Sequence, residues 1–369
     1  MAVKVYFAGL RARNPGQNTS TKINRLFSRA GFAERIAPRD LTAVKLHFGE
    51  RGNDTYISPV YVRHVVDRIK ECGGSPFLTD SNTLYLGSRS NAVDHLCTAI
   101  EHGFAYAVVG APLVIADGIT GGNKRTVEVN GNHFGEVHIS GDIHDARALM
   151  VLSHFKCHDV AGFGGAIKNL AMGCAPPAGK QQQHSARPVK RDGECTGCGR
   201  CEEVCPGSAI KIQSGVSVID RDLCIGCFEC MTICPEHAID VDWETEIPEF
   251  IERMVEYACG VMKGKEGKCG FYNFLTRITP DCDCVPWSDA SIVPDIGILA
   301  SVDPVAIDAA SYSLVNNQAG YRDSCLSTNH EPGADKFKGV WGDTDGYKQI
   351  RYAEEMGLGS STYELIEIG

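Results

Sequence analysis

The chain has 369 residues and a formal charge of −10, from 36 lysines and arginines against 46 aspartates and glutamates. Its length predicts two or three domains, and 43% apolar with 22% charged residues is typical of a folded protein. The excess of acidic residues gives no sign of a basic surface that would bind nucleic acid or an anionic membrane. No apolar run reaches the roughly 18 residues of a membrane span. We therefore expect a cytoplasmic protein with neither partner.

Strand-like and helix-like segments alternate from the N-terminus to about residue 170. Apolar runs predict strands over 2–8, 43–48, 76–79 and 146–153, with one or two more over 106–116. Helical spacing predicts helices over 19–31, from Pro59 up to Gly73, and over 91–102. The pair Asn130-Gly131, between strand-like segments 126–129 and 133–139, is typical of a type I′ hairpin turn.

The segment 175–191 has a different character, since it is polar, basic and contains prolines. It shows no apolar periodicity, which predicts a linker or a mobile surface loop. The α/β pattern resumes at residue 244. The later elements are predicted as a helix over 247–262, a strand over 292–300 and a helix from Asp303 to Asn316.

Cysteine is the unusual component of this sequence. Of the 17 cysteines, eight lie within residues 195–234, and such clustering in a cytosolic chain indicates metal or redox chemistry rather than disulfides. The spacing Cys-x2-Cys-x2-Cys-x3-Cys-Pro occurs twice, and it is the run that binds [4Fe–4S] clusters in bacterial ferredoxins. The two runs are Cys195, Cys198, Cys201 and Cys205, then Cys224, Cys227, Cys230 and Cys234.

In such runs the first three thiolates bind one cluster and the fourth binds the other. One [4Fe–4S] cluster is therefore expected at Cys195, Cys198, Cys201 and Cys234, and a second at Cys224, Cys227, Cys230 and Cys205. A pair of zinc knuckles is the alternative. Zinc needs one group of four ligands per site and does not require two matched runs that end in Cys-Pro.

The cysteine segment interrupts a larger domain. We predict an α/β fold, a mostly parallel sheet with helices built from residues 1–190 and 244–369, into which a small α+β two-cluster ferredoxin-like domain is inserted at 191–243. The insert carries four basic and ten acidic residues and is strongly anionic. The basic residues of the 175–191 linker fit a solvated hinge or a contact with a partner, and a redox partner protein is expected.

A second group of reactive side chains follows the predicted strand over 146–153. Ligands bind at such strand ends in open α/β sheets, and a Gly-rich turn before a helix can present N–H groups to an anion. The candidate catalytic residues are His154, Lys156, His158 and Lys168, with His47 at an earlier strand end, near Glu50. The candidate cofactor-binding residues are Gly162, Gly164, Gly165 and Asn169. A tight strand–helix turn with surface histidines is the structural alternative.

Two carboxylates and two thiols alternate after Pro280. The four residues Asp281, Cys282, Asp283 and Cys284 are a candidate second metal site, or a place for a thiolate of low pKa. Because Cys-x-Cys alone is a weak signal, an ordinary loop is the alternative.

Together these segments resemble the domain of unknown function 362 family, in the form that carries a two-cluster ferredoxin module. The resemblance is carried by residues 45–50, 153–169, the double cysteine run, 280–284 and 298–308. It covers most of the chain and implies little about function.

The stretch from His158 to Lys168 also resembles one loop of the nickel-pincer lactate racemases. The shared pattern is His-x2-Ala-Gly-aromatic, then glycine and lysine, and it covers this loop only. The resemblance implies that Lys168 tethers a pyridinium-derived cofactor and that His158 transfers protons.

Three functions fit the sequence. The first is an iron–sulfur redox protein, an oxidoreductase in one form, that relays electrons through two [4Fe–4S] clusters to or from a ligand or metal site in the α/β domain. The second is a non-enzymatic, ferredoxin-like electron carrier or assembly subunit, and the third is a racemase-like or epimerase-like enzyme with structural clusters. An additional metal, or a small-molecule cofactor or ligand, fits the first and third.

Overall fold

The computed structural model describes residues 2–85, 87–184, 188–191, 193–224, 230, 233–236, 238–241 and 243–368. The strands are β1 (Val3–Gly9), β2 (Leu41–Lys45), β3 (Ser75–Asp80), β4 (Leu113–Ile115), β5 (Lys124–Glu128), β6 (Glu136–Ser140), β7 (Ala148–His154), β8 (Lys156–His158), β9 (Gly162–Gly164), β10 (Pro188–Lys190), β11 (Ile210–Gln213), β12 (Val216–Ile219), β13 (Ile239–Val241), β14 (Cys269–Leu275), β15 (Gly297–Ser301) and β16 (Tyr363–Glu367).

The helices are α1 (Thr19–Arg29), α2 (Pro59–Glu71), α3 (Ala92–Ala99), α4 (Tyr106–Val109), α5 (Gly141–Asp145), α6 (Ala166–Cys174), α7 (Pro177–His184), α8 (Arg200–Glu203), α9 (Trp243–Met262), α10 (Pro304–Asn316), α11 (Lys336–Val340) and α12 (Tyr347–Glu355). Within the described part of the chain, no helix combines the length and the apolar surface needed to cross a bilayer.

Eight strands form the central sheet, in the order β16-β1-β15-β14-β7-β2-β3-β4. Only β15 runs antiparallel to its neighbours β1 and β14, and the other pairings in this sheet are parallel. The predicted α/β class and the mostly parallel sheet are therefore confirmed. Strands from both sides of residues 191–243 enter this one sheet, because β14 lies directly beside β7.

A hydrophobic core covers each face of the sheet, and strand β7 contributes to both. Leu149 and Val151 point into the core that contains α6, α9, α10 and α12, whereas Met150 and Leu152 point into the core that contains α1 and α2. Successive side chains of a strand point to opposite faces, so a central strand between two helical layers is apolar along its whole length.

The β5–β6 hairpin forms as predicted, but its turn is wider than a two-residue type I′ turn. Three consecutive N–H groups of the turn, from Asn132 to Phe134, donate to the buried carboxylate of Glu256 on α9, at 2.7–3.1 Å. A side chain at Gly131 would collide with Glu256. The wider turn wraps around a carboxylate that lies far away in the sequence.

Three segments differ from the sequence prediction. The strand predicted over 292–300 begins only at Gly297, because residues 292–296 form no strand. Residues 106–109 form helix α4, which ends where Gly110 adopts a left-handed conformation with φ of 74°, so that only Leu113–Ile115 is a strand. The predicted linker 175–191 is largely ordered as α7 and β10. Its Lys180 is half-buried and donates to the Ser81 hydroxyl at 2.7 Å, which an exposed basic linker would not do.

Removing the Glu256 carboxylate should destabilise the fold. Glu256→Ala leaves the turn amides and the hydroxyl of Tyr352, which donates to Glu256 at 2.8 Å, without their acceptor. We expect a loss of about 3 kcal/mol or more in the free energy of unfolding, measured by urea denaturation. Glu355→Ala, at an exposed position on α12, is the control and should change it by less than about 0.5 kcal/mol. Equal stability of the two variants would contradict this role.

Candidate functional site

A cavity of about 60 Å³ lies beyond the carboxyl ends of β2 and β7, beneath helix α6. Since a water needs about 10–15 Å³ on this measure, the cavity has room for a few waters or a small ligand. Its polar lining residues are Lys45, His47, Ser153, His154, Lys156, Lys168, Asn169 and Cys282. The structure thus brings together four of the five candidate catalytic residues, with Gly164, Gly165 and Asn169 beside them.

Asp283 organises one side of the cavity. Its buried carboxylate lies 2.9 Å from Nδ1 of His154 and 2.8 Å from Nζ of Lys156. Burial alone would raise the pKa of Asp283, but His154 and Lys156 hold it well below its usual range. Burial likewise opposes the charge of Lys156, and Asp283 outweighs this and raises the lysine pKa. The second nitrogen of His154 faces the Thr276 and Arg277 carbonyls, so this imidazole serves to position Asp283.

Lys45 forms the other side of the cavity floor. Its Nζ lies 2.9 Å from Oδ1 of Asp80 and 2.7 Å from Oδ1 of Asn169. Burial would raise the pKa of Asp80, but the charges of Lys45 and Arg89 keep it well below its usual range. Asn169 also donates to the carbonyl of Leu152 and the hydroxyl of Ser153, both at 3.0 Å. Asn169 therefore joins β2, β7 and α6 at one point.

His47 faces the cavity as a neutral imidazole. Burial, together with the charge of Arg89, lowers the pKa of His47 to about 3. Its Nδ1 accepts the N–H of Gly49 at 3.0 Å, which leaves the ring proton on Nε2. The Glu50 side chain does not point with His47 toward the cavity. Its carboxylate accepts the N–H of Ser88 and pairs with Arg89 at 3.2 Å.

Cys282 is the reactive thiol of the cavity. Nζ of Lys168 lies 3.7 Å from its sulfur. The hydrogen bond with Cys284, followed by the charges of Lys168 and Lys156, lowers the pKa of Cys282 well below its ordinary value, and the same bond raises the pKa of Cys284. The ammonium of Lys168 therefore favours the thiolate form of Cys282.

The carboxylates of the predicted second metal site are directed elsewhere. Asp281 accepts from the indole N–H of Trp287 at 3.0 Å, and Asp283 is held by His154 and Lys156. The loop therefore does not bring Asp281, Cys282, Asp283 and Cys284 to a common centre.

The N–H groups at the Gly-rich turn bind a carboxylate of the protein itself and do not form an open anion site. The first amides of α6, on Ala166 and Ile167, donate to the buried carboxylate of Asp308 at 2.7 and 2.9 Å. A side chain at Gly165 would collide with Asp308, and one at Gly162, whose φ is 76°, would meet the backbone of Gly346. The carboxylate already occupies the position that we expected an anionic ligand to take.

Among the described residues, His158 is not one of those that line the cavity. Its Nδ1 accepts the N–H groups of Val160 and Ala161, each at 3.1 Å, and lies 3.0 Å from Oδ1 of Asp159. Burial is the main cause that lowers the pKa of the neighbouring His184 on α7 to about 4, and Lys168 adds to it.

A separate cavity lies within the cysteine segment. Its lining includes Cys195, Cys198 and Cys201 of the first run together with Cys234, the last cysteine of the second. Backbone N–H groups approach the fourth cysteine of each run in the same way: Ala209 N lies 3.2 Å from Cys205 Sγ, and Ala238 N lies 3.3 Å from Cys234 Sγ.

The other predicted ligand set is described only in part. Cys205 and Cys224 are half-buried and Cys230 is buried, whereas Cys227 lies outside the described residues. Over the ranges that the structure describes, no group of three or more His, Cys, Asp or Glu residues is arranged to hold a metal ion.

Residues 42–313 match the family model of the domain of unknown function DUF362. The match covers more than half of the chain, and the protein belongs to this family, as its motifs predicted. No curated protein matches the chain.

Two of the solved structures that the chain matches share little sequence identity with it. The lactate racemase apoprotein from Thermoanaerobacterium thermosaccharolyticum is 11% identical with a TM-score of 0.36, and the match covers 69% of this chain and 49% of that one. A Thermotoga maritima protein is 9% identical with a TM-score of 0.35, covering 76% and 55%. The matched part of this chain spans about half the length of each protein.

The sequence analysis did not identify several residues of the site. Asp80 follows the predicted strand over 76–79, so its strand-end position was an available signal for the partner of Lys45. Arg89 and Asp308 carry no such signal, since one lies in a loop and the other inside a helix. Their roles depend on contacts with distant segments.

Lys168→Met should raise the pH at which Cys282 becomes reactive. The variant removes the cation nearest the sulfur, so we expect the midpoint of iodoacetamide alkylation to rise by about one pH unit. Mass spectrometry of the tryptic peptide 278–322, which contains only Cys282 and Cys284 as cysteines, gives the extent of reaction at each pH. Lys124→Met, at an exposed site on β5, should leave the midpoint unchanged. An unchanged midpoint in Lys168→Met would disprove the interaction.

Proposed function

We propose that this protein is an iron–sulfur redox protein that carries electrons through two [4Fe–4S] clusters to or from the cavity beyond β2 and β7. The observation that carries the proposal is the cysteine-lined cavity, because Cys234 joins Cys195, Cys198 and Cys201 there although it belongs to the other run. This is the ligand set that the double run predicts.

The donor set of that cavity, four cysteine thiols, is the one that a [4Fe–4S] cluster takes. In such a cluster each thiolate binds a different iron atom. Backbone N–H groups donate to the sulfurs of Cys205 and Cys234, and the N–H of Ser217 lies 3.3 Å from the sulfur of Cys195. Hydrogen bonds of this kind tune the reduction potential of a cluster.

The cysteine segment connects to the cavity of the sheet through short elements. Strands β10 and β13 pair at its two ends. They adjoin helices α7 and α9, which pack on α6, the helix that carries Lys168. His184, the last residue of α7, packs on α9, with its ring 5.0 Å from that of Phe250. This chain of packed elements is the route that we propose between the two sites.

The cavity itself concentrates ionisable side chains that are costly to bury. Perturbed pKa values of the kind seen at His47, Asp283 and Cys282 are typical of functional sites. In our proposal the ammonium of Lys168 and the Nε2–H of His47 bind and orient a small polar ligand, and the neighbouring lysines favour an anionic one. This concentration favours a redox site over a carrier whose α/β domain only docks a partner.

A partner protein would complete the electron path. The segment 191–242 has four basic and ten acidic residues, so the proposed partner presents a basic surface.

Anaerobically purified protein should contain about eight iron and eight sulfide per chain, by metal and sulfide analysis. Reduction should produce the EPR signal of two interacting clusters. Zinc in place of iron would refute the assignment. A nickel-containing small molecule attached to Lys168 would instead support the racemase-like alternative.

Paired cysteine variants test the crossed ligand sets. If Cys198 and Cys234 bind the same cluster, Cys198→Ala/Cys234→Ala loses only that one and retains about four iron per chain. The matched double variant Cys198→Ala/Cys205→Ala removes one ligand from each cluster and should retain far less. The opposite order of iron contents would show that each run binds its own cluster.

A further inference from the structure

We propose that Cys282 and Cys284 form a redox-active dithiol, and that this pair is the group in the sheet's cavity that exchanges electrons with the clusters. The inference rests on the proposed function for the identity of the electron donor and acceptor. The pairing of the thiols rests on the α/β domain alone.

The two thiols belong to one tight turn. Cys282 and Cys284 are its first and third residues, because the N–H of Val285 donates to the carbonyl of Cys282. Cys284 is half-buried, whereas Cys282 is 7% exposed and lines the cavity, so small reagents can reach its sulfur. Disulfides join residues whose Cα atoms lie roughly 4.4–6.8 Å apart, a range that residues i and i+2 of a turn can satisfy.

The backbone around the pair is held in place. The carbonyl of Cys282 accepts the N–H of Val285 at 3.1 Å, and the carbonyl of Asp283 accepts the N–H of Glu50 at 2.8 Å. The carbonyl of Cys284 accepts the hydroxyl of Tyr85 at 2.9 Å. The Asp283 side chain is held by His154 and Lys156, so each residue of the turn that carries the two thiols is anchored to a neighbouring segment.

The charges around the pair suit thiol–disulfide chemistry. A thiolate is the reactive form of cysteine, and Lys168 and Lys156 stabilise it at Cys282. Cys284 keeps its proton, because the thiolate beside it raises its pKa. One reactive and one protonated thiol in the same turn match the reduced form of a two-electron couple.

The reaction balances with the cofactors already proposed. Oxidation forms the Cys282–Cys284 sulfur–sulfur bond, releases the proton of Cys284 and yields two electrons. Two [4Fe–4S] clusters accept one electron each. In the reverse direction the disulfide takes up two electrons and one proton, and Lys168 keeps the Cys282 thiolate ion-paired.

Counting electrons tests the proposal. Holoprotein is first equilibrated anaerobically with glutathione disulfide, freed of it, and titrated with titanium(III) citrate. Wild-type protein should consume about four electrons per chain, two for the disulfide and one for each cluster, whereas Cys284→Ser should consume about two. Cys97→Ser, which removes an exposed cysteine on α3, should match the wild type. Equal consumption by wild type and Cys284→Ser would overturn the dithiol.

The same titration separates this proposal from the iron–sulfur assignment. A difference of about two electrons between wild type and Cys284→Ser reports the dithiol, and the electrons that Cys284→Ser still consumes report the clusters. If Cys284→Ser does not fold, wild-type protein alone suffices. Its tryptic peptide 278–322 should resist alkylation after oxidation and be lighter by two hydrogen atoms than the reduced peptide. Two free thiols in that peptide under all conditions would overturn the proposal.

Discussion

The ion pairs of Asp283 are the constraint on which the sheet's cavity depends. A carboxylate buried this completely is stable only with its cations in place, and removal of one partner leaves an uncompensated charge. His154 comes from the end of β7, Lys156 from β8 and Thr55 from the segment after β2. Their convergence ties the loop that follows β14 to the parallel half of the sheet. The thiols on either side of Asp283 are positioned as a consequence.

A second buried carboxylate makes the two parts of the chain dependent on each other. Asp308 lies on α10, after the cysteine segment, yet it caps α6, which precedes that segment. Burial raises the pKa of Asp308 to about 6, while the α6 amides and Asn273 of β14 oppose this increase. Lys168 projects from the first turn of α6, so its position beside Cys282 depends on residues on both sides of the cysteine segment.

The candidate site was predicted in outline from strand ends. His47, His154 and Lys156 follow apolar runs that form β2 and β7, and parallel strands place their carboxyl ends at one edge of the sheet. The role of each residue was not predictable in this way. His154 positions Asp283 rather than facing a ligand, and the α6 amides bind Asp308 rather than an anion. Those partners lie more than 100 residues away, and no local pattern records them.

By itself, the sequence determined what depends on neighbouring residues. Apolar periodicity placed the main strands and helices, the Asp303-Pro304 pair marked the start of α10, and the spacing of each cysteine run is a local property of one loop. Only the tertiary structure decided the width of the β5–β6 turn, the ordered conformation of residues 175–184 and the contact between Lys168 and Cys282. The physical reason is that a buried charge or amide needs a partner, and folding supplies that partner from a distant segment.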